Sequence, residues 1–439
     1  MPISSFSGLN VSLRALLAEQ RGLDTTAQNI ANANTVGYTR QEAVFSASTP
    51  YQVQAGALQN GAGAQLGQGV DVLTYQRVRD QFSDLQFRAQ QMTLGQQQTV
   101  AEGLDQAQDL LSEPGDSGLQ SMLSKFFDSW QTLASNPTST AAQNAVLGQA
   151  KIVTDQLNAV AKGLTDLQAN AAGQITNLLD PNGPVKAKAD EIAQLNVAIG
   201  QATALGQQPN DLLDRRDQLL DDLSKVGSVS VTDQGNGRIS VGFGGVTPPL
   251  VDATNTVNLP AAASITSASG GTLGGLADLA SPTGTVASLL TDLDGIASGL
   301  ATSVNTAYGS AFFSGATAAA ITVGATSVTA AGATEGPGGN ARALAVAGQR
   351  EQGPTLATYA DFVARVGAEQ AGAAQKATTA QTLAAATEER RQSVNGVSMD
   401  EEMTNLVRFQ RGYQAASRAF STMDEMLDVL INRTGRVGL

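Results

Sequence analysis

Two narrow apolar stripes, one at each end of the chain, constrain this sequence more than anything between them. Leu9, Leu13, Leu16, Leu23, Ala27 and Ile30 recur with Gln20 on the same line. Their steps alternate between four and three, which is the seam of a coiled-coil helix. From Ser398 to Arg433 the same step returns in Met399, Met403, Leu406, Gln410, Tyr413, Ser417, Phe420 and Met423, and Leu427 and Leu430 close it. A stripe this narrow must be buried against another helix. The economical partner for each is the other one, in the same chain or in a neighbouring copy. Gln20, Gln410 and Ser417 on the seam trade stability for register. A terminal helix that merely belongs to a globular core carries the same periodicity.

Composition narrows the chemistry. The chain has 439 residues, room for two to four domains, and neither Cys nor His. That removes thiol chemistry, disulfides, histidine acid–base catalysis and the ordinary zinc, copper and haem sites; no cofactor is expected. A net charge of −13 argues against nucleic acid and anionic membrane as partners. Charged residues make up 15%, against roughly 25% in ordinary soluble domains. Gln, Asn, Ser, Thr and small residues therefore cover the surface, as suits a protein packed against many copies or relatives, or a flexible one. No run reaches membrane-spanning length. Met1 to Val11 lacks a basic region followed by an apolar core, so no Sec signal is expected.

Along the chain, Met1–Ser7 is short, polar and expected to be disordered when free. The first helix should stop at Asn32–Gly37. Val44–Val53, with Pro50, reads as extended backbone or an edge strand. Gly56–Gly69 reads as a loop whose glycine spacing misses the dinucleotide fingerprint, and Val70–Tyr75 as a short strand. Helices follow at Arg77–Leu111, Leu119–Ala134, Thr138–Leu179, Val185–Leu205 and Pro209–Val226, joined by short turns, as in an elongated bundle. Leu119–Ala134 holds the only Trp, Trp130, and is the best candidate for a true core. At Ser228 the period drops to two. Val229, Val231, Ile239, Val241 and Phe243 flank Asn236-Gly237, a strong hairpin signal. Pro248–Gly275 and Ser314–Gly339 are rich in Gly, Ala, Ser and Thr: short strands and loops of a small inserted module, or mobile chain. Thr283–Phe313 and Thr355–Ser393 are helical. Ser398 with Glu401 makes a capping box, with Asp400 and Glu402 at the positive end of the helix dipole.

The division is thus 1–75 (terminal helix and linker), 76–227 (bundle), 228–345 (hairpin and Gly-rich insertion with a helix near 283–313), 346–396 (returning bundle helix) and 397–439 (last helix). The fold class is mainly α with a β-containing insertion: terminal helices paired as a coiled coil, an elongated bundle and a small outer β module.

Catalytic signals are sparse. Asp211, Asp214, Asp217, Asp221 and Asp222 invite a carboxylate-pair reading, but Arg215 and Arg216 lie among them, and a solvated helical face accounts for the run. No Gly-x-Ser-x-Gly elbow, P-loop or EF-hand loop occurs. Residues 244–340 hold five scattered acids and no Lys, a poor inventory for an enzyme on the insertion.

The ends also carry a resemblance. Asn29-Ile30 followed by Ala31-Asn32-Ala33-Asn34-Thr35-Val36-Gly37-Tyr38-Thr39-Arg40-Gln41 resembles the N-terminal signature of the flagellar axial proteins. Gly396 to Met403 and Arg408 to Ala415, ending in Leu430-Ile431-Asn432-Arg433, resembles the matching C-terminal signature. The Gly-Tyr-Thr-Arg-Gln form, and the helical middle with Leu213-Asp214-Arg215-Arg216-Asp217-Gln218-Leu219, look like the hook-associated protein 1 family rather than rod or hook proteins. The likeness covers 1–230 and 355–439.

The resemblance implies a structural protein of the hook–filament junction, not an enzyme, exported through the flagellar type III apparatus without a cleaved Sec signal to an extracellular position. Implied partners are copies of itself, the hook protein, the next junction protein and an export chaperone on the last helix. Nucleic acid and membrane insertion are not implied. The expected assembly interface comprises Leu9, Leu13, Leu16, Leu23, Ile30, Asn32, Asn34, Thr35, Gly37 and Tyr38 at one end. At the other it comprises Met403, Leu406, Gln410, Tyr413, Phe420, Leu427 and Leu430. A rod or hook component is the alternative.

Overall fold

The computed structural model describes residues 6–53, 64–116 and 118–433. Most of Met1–Ser7, much of the Gly56–Gly69 loop and the Leu430 side chain lie outside the described residues. Helix α1 (Phe6–Ala31) leads into an antiparallel ribbon of β1 (Gln41–Ala47) and β4 (Val70–Arg77), continued by β2 (Tyr51–Val53) and β3 (Ala64–Leu66). The expected loop therefore contains a short strand.

Next come α2 (Gln81–Leu111), α3 (Leu119–Ser135), α4 (Thr140–Leu178), α5 (Pro184–Ala204) and α6 (Asn210–Val226). Three of these helices start where the sequence supplies a cap or a proline: Asp80 accepts from the backbone of Phe82 and Ser83, Ser139 from Ala142, and Pro184 is the first residue of α5. Strands β5 (Val229–Gly235), β6 (Arg238–Phe243) and β7 (Val246–Val251) form an antiparallel sheet in that order. The β5–β6 turn has positive φ at Asn236 and Gly237, as a two-residue hairpin turn requires. β7, with Pro248 and Pro249, takes an edge, where a missing N–H is tolerated. Helices α7 (Gly271–Ala280) and α8 (Thr285–Tyr308), the short pair β8 (Phe313–Ser314) and β9 (Thr322–Val323), and the small helices α9 (Ala341–Ala347) and α10 (Gln349–Gln352) follow. Long helix α11 (Thr355–Asn395) returns along α2, and α12 (Met399–Asp428) runs on through Arg433.

The core sits where the aromatic segment placed it. Trp130, Phe126 and Phe127 of α3 are fully buried. Phe312 and Phe313, just beyond α8, close on them, with ring centroids 5.3 Å apart for Trp130–Phe312 and 5.6 Å for Phe126–Phe313.

The Gly-rich stretch is not loose. Leu273, Leu276 and Leu279 of α7 are buried and belong to the same hydrophobic cluster as α2, α3, α4 and α8. Where strands, loops or mobile chain were expected, glycines let helix α7 approach α2: a Cβ at Gly275 would stand 2.7 Å from Thr99 Cβ. Burial of the leucines outweighs glycine's poor helix propensity.

Candidate assembly site

Helices α1 and α12 pack along their length. Gly8 faces Met423, Glu19 faces Gly412 and Gly22 faces Phe409. The partner number falls as the α1 number rises, so the helices are antiparallel. Their contact is close: a Cβ on Gly22 would lie 2.6 Å from Phe409 Cδ1, and one on Gly412 2.5 Å from the Glu19 carboxylate carbon. The buried line of α1 is Ser12, Ala18, Gly22, Thr25, Thr26 and Asn29.

The expected seam residues are covered unevenly. Leu13, Gln20, Ala27, Met399, Met403 and Gln410 are exposed, and Leu9, Leu16, Leu23, Ile30, Leu406, Tyr413 and Phe420 are half-buried; Leu427 is buried. Bulky side chains of α12 enter notches between small residues of α1, which brings the helices closer than leucine against leucine allows. Leu13 on that stripe then stays exposed, while Leu9, Leu16 and Leu23 are half covered. The ribbon covers one flank of α1: Arg14 Nη1 donates to Ser48 Oγ and to Asp71 Oδ2, both at 2.7 Å.

The N-terminal signature forms a knot. Asn29 is fully buried: its Oδ1 accepts from Tyr38 Oη at 2.8 Å and from the Gln41 amide at 3.0 Å, and its Nδ2 donates to the Gln41 carbonyl at 2.8 Å. Tyr38 resists ionisation because it is partly buried and faces the negative charges of Asp211, Asp214 and Glu402. Asn32 is half-buried, whereas Asn34, Thr35 and Gly37 are exposed on the loop, which stands across a cleft of about 620 Å³ from α6 and the end of α11.

Arg40 ties the two termini together. Its Nε donates to Glu402 Oε1 at 2.8 Å and its Nη1 reaches Glu401 at 3.0 Å. Glu402 is buried. The capping box is thus half-used: Ser398 Oγ accepts from the Glu401 amide at 3.5 Å, while the Glu401 side chain turns to Arg40.

The acidic run on α6 is not a solvated face. Asp214 accepts from the Thr39 amide at 3.0 Å and from Arg77 at 2.8 Å. Asp217 accepts from Arg77 at 2.8 Å and from Arg79. Asp221 takes Arg88 at 2.7 Å and Arg391 at 2.5 Å. Arg79 also holds Asp84 at 2.5 Å, and the Arg391 guanidinium lies 3.8 Å from the Phe87 ring centre. Burial opposes the charge of Asp217, but the attraction of Arg79 and Arg77 outweighs it, and its carboxyl sits below the usual range. Asp222 does remain near the surface, with Lys188 at 2.9 Å.

The sequence reading missed this hub. Its signal was available: Asp214, Asp217 and Asp221 share one face of a helix, in a chain with few charges to spare. What the sequence hides is that their arginines come from the end of β4, the start of α2 and the end of α11. The hub fastens signature, ribbon and returning helix to α6. Among the described residues no cluster of acidic side chains has metal-ligand grouping, and no helix is long and apolar enough to cross a membrane.

Comparison with known proteins agrees with this architecture. The model of the flagellar hook-associated protein FlgK helical domain matches residues 104–318. That of the flagella basal body rod protein matches 9–39, and that of the flagellar basal body rod FlgEFG protein C-terminal region matches 391–433. Flagellar hook-associated protein 1 of Bacillus subtilis (strain 168) is 30% identical over 98% of this chain and 99% of its own length. Flagellar hook-associated protein 1 of Salmonella typhimurium is 35% identical over 53% of this chain and 40% of its own length. That of Escherichia coli (strain K12) is 32% identical over 53% and 41%.

A helical hook-associated domain between two rod-type termini defines a flagellar axial protein, a structural component of the bacterial flagellum that assembles with other flagellar proteins. The chain belongs to the flagellar hook-associated protein 1 family and is a component of the hook–filament junction.

Proposed function

We propose that the chain joins hook to filament by packing the outer face of its α1–α12 pair against the same pair in neighbouring copies and in the hook and next junction proteins. The observation behind this reading is the apolar line that pairing leaves uncovered. Leu13 and Leu17 on α1 are 40% and 49% exposed, and Met403 and Val407 on α12 are 50% and 42% exposed. Large apolar residues repeating on one face mark a surface that another surface covers. Leu9, Leu16, Leu23 and Ile30 border that face. Asn34, Thr35 and Gly37 extend it on the loop.

The chain reaches its extracellular place by the flagellar export route, with a chaperone covering the apolar face of α12 beforehand. It carries out no catalysis. The bundle, 76–227 with α7, α8 and the return of 346–396, forms the shell around the terminal pair.

Leu13→Glu should leave the bundle folded, by circular dichroism, yet keep the protein out of the junction. A deletion strain should then show bare hooks by electron microscopy, with flagellin in the medium. Normal incorporation of Leu13→Glu would sink the reading; absent hooks in the deletion strain would instead make the chain a rod or hook component.

A further inference from the structure

The chain holds four Asn-Gly pairs, of which Asn60-Gly61 lies outside the described residues. The other three share a dipeptide but not a setting. Asparagine loses its amide when the backbone nitrogen of the next residue attacks the side-chain amide carbon. Glycine in that next place leaves the approach open, because it carries no Cβ. The setting then decides whether the nitrogen is free and whether the asparagine side chain can turn to it.

At two pairs the nitrogen is engaged. The Gly183 amide donates to the Asp180 carbonyl at 2.8 Å, and Gly183 is buried. The Gly396 amide donates to the Gln392 carbonyl at 2.8 Å at the end of α11, and Asn395 is only 9% exposed. Each must give up its hydrogen bond by local opening before it can react.

Asn236-Gly237 differs. Gly235 and Arg238 pair across the hairpin, so the two residues between them stand outside the ladder. Asn236 is exposed. Neither its side chain nor the Gly237 amide makes a hydrogen bond among the described residues. The turn is held only from behind, where the Gly237 carbonyl accepts from Arg216 Nη1 at 2.6 Å.

We infer that Asn236 is a self-modifying site, which converts to aspartate and isoaspartate as the folded chain ages. The Gly237 nitrogen bonds to the Asn236 amide carbon and gives up its proton. The bond from that carbon to the side-chain nitrogen breaks, and ammonia leaves with the proton. Water then opens the cyclic imide. Opening at the side-chain carbonyl gives aspartate; opening at the main-chain carbonyl gives isoaspartate, whose backbone runs through the former side chain. One water is consumed and one ammonia released, and nothing is oxidised or reduced. Either product adds a negative charge to the turn. Isoaspartate also adds a backbone carbon beside the Gly237 carbonyl that Arg216 holds.

The test is incubation of the purified full chain at neutral pH, followed by tryptic mass spectrometry. Peptides 226–238, 163–186 and 392–408 carry the three pairs, so each is a control for the others. Peptide 226–238 should gain the mass of amide-to-acid conversion at least about tenfold faster than the other two, which wait for local opening. Isoaspartyl methyltransferase should label it as well. In urea the three pairs should convert at similar rates, because only the fold separates them. Asn236→Gln, whose ring would need one more atom, should leave 226–238 unconverted. The inference is overturned if 226–238 stays intact, if it still converts in Asn236→Gln, or if either other pair converts as fast in the folded chain. It is overturned too if the preference for 226–238 persists in urea, which would make it a property of neighbouring sequence and not of the turn.

Discussion

Asp214 is the side chain through which α6 holds the N-terminal signature, and Asp214→Ala isolates that link. The substitution takes the acceptor from the Thr39 amide, which is buried at 3% exposure and bonded to Asp214 Oδ2 at 3.0 Å. An unsatisfied buried donor costs about 1–3 kcal/mol. Arg77 loses one of two carboxylates but keeps Asp217 at 2.8 Å, so its share is smaller, about 1 kcal/mol. The sum is about 3 kcal/mol, or roughly a hundredfold in the equilibrium for local opening. The loss should be confined to the signature, because the bundle core is built without Asp214. Amide hydrogen exchange read by mass spectrometry reports both regions at once. Protection of 38–41 should fall roughly a hundredfold, with α4 between Val153 and Leu164 unchanged. Unchanged protection at 38–41 would show that Asp214 does not hold the signature. Equal loss in α4 would show that signature and bundle open as one unit. Either result refutes the argument.

Other perturbations test other parts of the structure. Gly22→Val drives a Cβ into Phe409, at 2.6 Å from Cδ1, an overpacking worth about 1–3 kcal/mol. Trypsin should then cut at Arg21 and Arg411 at least tenfold faster, and Phe409→Ala in the same chain should restore resistance. The hub should also set the acid limit of the fold. Because the Asp217 carboxyl is lowered in the folded state, its contribution is complete above the ordinary carboxylate range, about pH 4, and is lost as pH falls through the lower folded value. Urea midpoints should therefore be flat from neutral pH down to that range and fall below it, with a shallower fall in Asp217→Asn; a decline already between pH 5 and 7 would contradict the assignment. Trp130→Ala, at a fully buried site, should destabilise the bundle by about 3–5 kcal/mol, read as a lower urea midpoint by circular dichroism.

Local signals in the sequence were reliable where one residue type had one job. Asn236-Gly237 places the hairpin turn, and Ser398 starts α12. The period of three and four residues located α1 and α12, because an amphipathic helix must show its own repeat. Propensity misled at α7, where Gly274 and Gly275 serve packing rather than flexibility, and the helix that Gly275 packs against, α2, lies far away in the chain. The acidic run misled for a related reason. Asp217 looks solvated until Arg77 and Arg79 are brought across from 140 and 138 residues away.

The sequence by itself therefore determined most of the helices, the amphipathic stripes at the two ends and the family, since each is written in contiguous residues or in a period. The tertiary structure decided which faces meet. Whether a stripe is buried or left for a partner depends on how closely two helices approach, and that is set by Gly22 against Phe409 and Gly412 against Glu19. Whether a carboxylate is solvated or locked depends on arginines distant in sequence. Both are properties of surfaces in contact, and a surface has no period in the chain until the fold assembles it.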